Sequence, residues 1–293
     1  PEHPDRYTAI IQALEDAGLL DLMHAIPLRS ATRKEILRVH SPGLIGRIEE
    51  ATGRGGGMLD PDTYCTGASW DIARDGSGAL IDLCAAVARG EQSNGLALLR
   101  PPGHHATATV NMGFCLTNHV AVAARALQAA GLASKVAIVD FDVHHGNGTE
   151  DIFADDPSVY YASTHQYPHF PGTGRASDTG SGKGQGFTLN LPLPVGTGDE
   201  DFIPAYRDII IPALQDFDPD FLIVSAGYDA HRNDPLAGLM VSNEGFAEVS
   251  GLLVDAAAQL CGGKIVFNLE GGYNLDVLAS CVSDSARILL DAS

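Results

Sequence analysis

From Gly95 onward the chain alternates short, continuously apolar segments with long amphipathic ones, and no other feature restricts the fold as tightly. The apolar segments are GLALLR, KVAIVDFD, SVYYAST, FTLNLPL, FLIVSAG and KIVFNLE. The amphipathic ones include LTNHVAVAARALQAAG, DEDFIPAYRDIIIPALQDF, NEGFAEVSGLLVDAAAQL and the C-terminal NLDVLASCVSDSARILLD. A strand without polar alternation is buried on both faces, and a helix between successive strands returns the chain for parallel pairing. The pattern therefore predicts an α/β fold with a mainly parallel sheet covered by helices on both sides. The N-terminal third reads as shorter helices in DRYTAIIQALEDAGLL, ATRKEILRVH and GLIGRIEEA, then a glycine-rich loop, TGRGGGMLDPDTYCTGAS. A helix over about Gly76 to Arg89 follows. No repeat, linker or low-complexity tract divides residues 1–293, which read as a single domain.

Bulk properties narrow the function. A formal net charge of −19 disfavours nucleic acids and anionic membrane surfaces as partners. It is compatible with a cationic substrate, although such acidity more often serves solubility. Cys65, Cys84, Cys115, Cys261 and Cys281 are odd in number and scattered, the usage of reduced thiols, so the cytoplasm is the expected compartment. No apolar run approaches the ~20 residues of a membrane span.

Ligands of open α/β sheets sit beyond the carboxyl ends of the strands. Here those ends run into PPGHH, DFDVHHGNG, STHQYPHFPGTG, YDAHRNDP and EGGYN, so five strands deliver His, Asp, Ser and Tyr to one edge. In an extended chain, Asp140, Asp142 and His144 point the same way. Two carboxylates and an imidazole in a row are costly to bury unless a cation lies among them. A capped strand end, with Asp and His bonding nearby backbone, is the plain alternative. The metal reading has Asp142 and His144 hold a divalent ion, with Asp229 the best candidate for a third ligand. Two carboxylates and one imidazole suit Zn²⁺ and leave a fourth position open, as catalytic zinc requires. Asp140 then lies outside the ligand set, where it can orient an imidazole. His104 and His105 follow a strand and are suited to moving protons near neutrality. Gly271 and Gly272 could turn the Tyr273 phenol inward as a donor to a developing oxyanion.

RPPGHHA, GFC, DFDVHHGNGTEDIF, FPGTG, SAGYDAHRNDPL and EGGY, in this order and spacing, resemble the zinc-dependent histone deacetylase family. That family includes bacterial deacetylase-like and acetylpolyamine amidohydrolases. The match spans Gly95 to the C terminus, and HPDR near the start echoes the family's opening loop. The resemblance implies the arginase/deacetylase fold, a mainly parallel sheet of about eight strands between helices. It implies zinc on Asp142, His144 and Asp229, with His105 as general base and then acid, and His104 as a companion that orients water and stabilises charge. Asp140 is expected to pair with His104 and Asn147 with His105; an Asn at 147 follows the class II pattern. Phe114 and Phe170 are the expected walls of a channel for a lysine stem, His169 makes the rim more polar, and the Gly113 carbonyl accepts the scissile amide N–H.

The same resemblance implies K⁺ (or Na⁺) at a first site formed by Asp140, Asp142, His144, Ser163 and Thr164. A second site is formed by backbone carbonyls around Phe153, Asp156, Val159 and Phe187. The expected reaction is hydrolysis of acetyl- or acyl-lysine in peptides or proteins. Polyamine-specific relatives place a Glu where this chain has Leu236, which disfavours the alternative, an acetylated polyamine. An arginase-like two-manganese hydrolase and a catalytically silent binding protein are the rivals on the same scaffold. Asp60 and Asp62 are candidates for the rim without a diagnostic pattern. Oligomeric state is open.

Overall fold

A computed structural model describes residues 1–293. Its strands in chain order are β1 (Gly56–Met58), β2 (Tyr64–Thr66), β3 (Gly95–Ala97), β4 (Val136–Asp140), β5 (Val159–Gln166), β6 (Thr188–Leu193), β7 (Phe221–Ala226) and β8 (Ile265–Leu269). The last six form one parallel sheet in the order β3-β8-β7-β4-β5-β6. The expected α/β class with helices on both faces is the one found.

Strand alternation builds the core. Ala137 and Val139 of β4 join Leu222 and Val224 of β7 in the cluster on one face. Val136 and Ile138 join Phe221 and Ile223 on the other. Each strand therefore needs apolar residues at every position, which explains the unbroken apolar runs. The pattern stops where β4 ends: Asp140 is the first carboxylate and is wholly buried.

Four expectations are corrected. The sheet has six strands rather than about eight. The other two, β1 and β2, lie in the stretch read as a glycine-rich loop and pair only with each other, antiparallel, Met58 opposite Tyr64. Their brevity and the positive φ of Gly56 and Gly57 hid them, because that backbone has no period-two pattern of side chains. The helix expected from Gly76 begins at Ser69, where packing outweighs the poor helix propensity of its glycines. The segment read as one helix from Asp199 is three pieces, Asp199–Pro204, a π-helical Ala205–Ile210 and Ile211–Phe217. Pro204 and Pro212 lack the N–H that a continuous α-ladder needs, and the wider turn lies between them.

Phe141 follows β4 and is fully buried against Tyr228, Phe246 and Phe267, with ring centroids 5.5, 5.8 and 6.2 Å away. Phe141→Ala should lower the unfolding free energy by about 3–5 kcal/mol and Phe141→Leu by less than about 1.5 kcal/mol. Urea denaturation checks both, and near-wild-type stability of the alanine variant would contradict this account of the core.

Candidate active site

The ends of β3, β8, β7, β4 and β5 are neighbours in the sheet, so the five motifs meet above it. Asp142, His144 and Asp229 are buried, and their ligand atoms lie within 4.8 Å of one another. His144 Nδ1 stands 3.0 Å from Asp142 Oδ1 and 3.1 Å from Asp229 Oδ2. The second oxygens are held by backbone: Gly271 N–H donates to Asp142 Oδ2 at 2.8 Å and Val143 N–H to Asp229 Oδ1 at 2.9 Å. Gly271 leaves room for this approach, because a Cβ there would come 2.6 Å from Asp142 Oδ2.

The electrostatics of this trio fit a cation. Burial and the Asp142 charge push the Asp229 carboxyl up to about 7. Burial resists charge on Asp142, yet His104 and His144 hold it well below the usual carboxylate range. Burial likewise opposes charge on His144, but its hydrogen bonds to Asp142 and Asp229 raise it to about 10. These shifts all favour positive charge among the carboxylates. The set of two carboxylates and one imidazole fits zinc with an open position. Among clusters able to hold a metal, this is the only one in the chain.

The histidine pair follows β3. His104 Nδ1 donates to Asp140 Oδ2 at 3.0 Å, and His105 Nδ1 donates to Asn147 Oδ1 at 2.8 Å. Both expected pairings are present, and each leaves an Nε2 turned from its orienting partner. Burial opposes charge on His104, but Asp142 and Asp140 raise it to about 10. Burial, His104 and His144 press His105 well below its ordinary value. One imidazole is thus suited to carry charge and its neighbour to accept a proton. His145 faces away: its ring nitrogens meet Thr173 Oγ1 at 2.7 Å and Glu150 Oε2 at 3.1 Å, tying the FPGTG segment to the strand end.

A cavity of about 210 Å³ leads to these groups, and Gly113, Phe114, Phe170, His169, Leu236 and Tyr273 line it. Phe170 packs edge-on against His105 at 5.2 Å, and Phe114 against Tyr273 at 6.0 Å. Phe114 has φ 68°, a strained conformation for a bulky residue, and it is held there by its N–H bond to Thr63 Oγ1 at 3.2 Å. His169 stacks on His144 at 5.2 Å. The Gly113 carbonyl receives the Cys115 thiol at 3.2 Å. Burial and Asp229 push the Tyr273 phenol well above its ordinary value, which keeps it a donor.

At the expected first cation site, Ser163 lies beside Asp140 in the β4–β5 register. The hydroxyls of Ser163 and Thr164 are engaged with His165 Nδ1 at 2.9 Å and Tyr206 OH at 2.6 Å. Around the second, the carbonyls of Phe153, Asp156 and Phe187 accept backbone N–H groups at 3.0, 3.4 and 3.0 Å from Asp156, Val159 and Tyr161. The Arg125 guanidinium already stands 4.7 Å over the Phe153 ring and pairs with Asp156.

Three supporting residues, Asp234, Arg6 and Glu270, escaped the sequence reading, and Asp62, a rim candidate there, also supports the cavity wall. Asp62 lines the cavity and accepts Gly113 N–H at 2.9 Å. Asp234 accepts Tyr273 N–H at 2.7 Å and Leu236 N–H at 3.0 Å, fixing both. Arg6 is fully buried, donates to the Gly272 carbonyl at 2.7 Å and lies 5.1 Å over the Tyr273 ring. Glu270, also fully buried, accepts Gly103 N–H at 2.6 Å. Arg6, Asp234 and Glu270 stand inside HPDR, RNDP and EGGY, but nothing in those strings tells a supporting residue from a spacer.

Asp229→Ala should lose most of the zinc that the wild type binds while keeping its fold, since the substitution removes a carboxyl that burial already disfavours. Elemental analysis beside circular dichroism checks this; full zinc occupancy would remove Asp229 from the ligand set.

Comparison with known proteins agrees with the geometry. The histone deacetylase domain family matches residues 1–289. The chain is 42% identical over 307 residues to histone deacetylase 14, chloroplastic, of Arabidopsis thaliana, covering 99% of this chain and 73% of that protein. It is 41% identical over 296 residues to histone deacetylase 15 of the same plant, covering 99% of this chain but 52% of that protein. The crystal structure of the HDA15 HD domain superposes with a TM-score of 0.94 at 41% identity, covering 99% of this chain and 82% of the other. With its motifs gathered at one sheet edge and its whole length matched, the chain belongs to the histone deacetylase family.

Proposed function

We propose that this deacetylase hydrolyses the amide of acetyl-lysine, and of related acyl-lysines, in peptides or proteins, releasing the carboxylic acid and the free amine. The observation that carries the reading is the cavity lined by Phe114 and Phe170 together with His104, His105, Tyr273 and His144, the last a member of the Asp142–His144–Asp229 cluster. Its aromatic lining suits an aliphatic stem. Asp142, His144 and Asp229 would hold a zinc ion, which when bound would supply Lewis acidity for an acyl oxygen and for water.

The side chains do the rest. His105, neutral and oriented by Asn147, takes a proton from the attacking water. His104, its ring held by Asp140, orients water and offsets negative charge that develops beside it. Tyr273 donates its phenolic proton in a hydrogen bond to the developing oxyanion, and an imidazolium returns a proton to the leaving amine. Gly113 receives the amide N–H of the substrate through its carbonyl, and the rings of Phe114 and Phe170 exclude water from the stem. A two-manganese hydrolase would need further carboxylates around a second ion, and the single three-residue cluster speaks against it.

Finer points belong to the same reading. A monovalent cation at Asp140, Asp142, His144, Ser163 and Thr164 would brace the strand ends; the second set, with Arg125 already beside Phe153 and Asp156, has less use for one. The five cysteines are unpaired and buried, which supports the cytoplasm as the working compartment. No helix is long and apolar enough to cross a membrane.

Tyr273→Phe should lower kcat on an acetyl-lysine peptide by roughly 10²–10³ with a much smaller change in KM. An unchanged kcat would take Tyr273 out of the mechanism. Leu236 lines the cavity and offers no charge to the distal ammonium of a polyamine. The ratio of kcat/KM for the peptide to that for N-acetylputrescine or N8-acetylspermidine should therefore favour the peptide. Leu236→Glu should shift the ratio toward the polyamines by about one to two decades, the worth of one buried charge-assisted hydrogen bond. A wild type that prefers the polyamines tenfold or more, or a ratio untouched by Leu236→Glu, would refute this specificity.

A further inference from the structure

We infer that Glu270 is a positioning residue for the histidine pair, acting as a hydrogen-bond acceptor that fixes the turn carrying His104 and His105 to the sheet. The inference rests on reading that pair as the proton-handling groups. Glu270 is fully buried, and Arg6 reaches its backbone carbonyl, at 2.5 Å, rather than its carboxylate. A carboxylate buried without a basic side chain is expensive, so each lone pair must find a donor.

The donors fall into two groups. Oε1 accepts Ser225 Oγ–H at 3.2 Å and Asn268 Nδ2–H at 3.0 Å, from β7 and β8 in the middle of the sheet. Oε2 accepts the N–H groups of Gly103 at 2.6 Å and His104 at 3.2 Å. One oxygen is thus anchored in the rigid sheet while the other grips the backbone at the histidines. The remaining restraints on His104 come from elsewhere: Asp140 holds its ring, and its carbonyl accepts Thr149 N–H at 3.1 Å. His105, one residue further on, has only the bond to Asn147 on its ring. A shift of the turn would move its Nε2 relative to the metal cluster, and small misplacements of reacting groups lower rates steeply.

The partners show that acceptor geometry, rather than charge, is what the turn needs. Asn268 Oδ1 has no hydrogen-bond partner. A glutamine at 270 could keep its Oε1 on the two turn amides and donate its Nε2–H groups to Ser225 Oγ and, after an amide flip of Asn268, to that vacant Oδ1. An aspartate would keep the charge but is one methylene too short to reach sheet and turn together.

The test compares Glu270→Gln, Glu270→Asp and Glu270→Ala in the zinc-loaded enzyme, measuring kcat and KM on an acetyl-lysine peptide, zinc content, and the amide proton shifts of Gly103 and His104. Glu270→Gln should keep kcat within about threefold of wild type, whereas Glu270→Asp and Glu270→Ala should lose about 10–100-fold in kcat with KM and zinc little changed. The two amide protons should stay hydrogen-bonded in the glutamine variant and move upfield in the other two. A glutamine variant as impaired as alanine, an aspartate variant as active as wild type, or a loss that tracks zinc content would overturn the inference. If Glu270→Ala does not fold, the order of glutamine above aspartate still decides it. Should the wild type hydrolyse no acyl-lysine, the amide shifts test the positioning independently of the proposed function.

Discussion

Four buried carboxyl groups with no lysine or arginine paired to them stand at the carboxyl ends of three adjacent strands: Asp140 and Asp142 at the end of β4, Asp229 after β7 and Glu270 after β8. Taking so much potential negative charge out of water is the constraint to which the rest of the structure answers. It explains why the apolar strands stop where they do and why so many backbone N–H groups turn toward this edge. It also makes a cation favourable among Asp142, His144 and Asp229.

The carboxylates are relieved in different ways. Asp142 and Asp229 share His144 and leave an electrostatic preference for stronger positive charge between them. Asp140 is matched by the His104 ring, the Tyr161 hydroxyl at 3.1 Å and the Asp142 N–H at 3.1 Å. Glu270 takes four neutral donors. The result separates two adjacent imidazoles: His104, beside Asp142 and Asp140, is raised, and His105, buried and beside the imidazoles of His104 and His144, is lowered. A pair of like groups with opposed proton affinities is the arrangement acid–base chemistry needs at constant pH.

The route from strand to channel is equally physical. Parallel strands all end on one side, so segments far apart in the chain arrive together without long loops. The hairpin of β1 and β2 closes the remaining side, with Asp62 on Gly113 N–H and Thr63 on Phe114 N–H. Those two bonds hold Phe114 in its left-handed conformation and so shape one wall of the cavity.

Much of this was legible in the one-dimensional pattern. Apolar runs without polar alternation can only be doubly covered strands, and Asp, His and Tyr placed just after them can only meet at one edge; local chemistry alone dictates both. The trio Asp142, His144 and Asp229 is read from the chemistry at the strand ends, whereas the two histidine pairings and the aromatic walls are implied by the resemblance to the deacetylase family. The hairpin, the π-helical break before Ile211, and the parts played by Arg6, Asp62, Asp234 and Glu270 were not legible there. Each depends on contacts between residues remote in sequence: Arg6 meets Gly272, and Glu270 meets Gly103. A side chain that serves by hydrogen-bonding distant backbone leaves no period and no neighbouring partner in the sequence. Only the tertiary packing, by bringing those amides and carbonyls within reach, decides which buried charge supports the site.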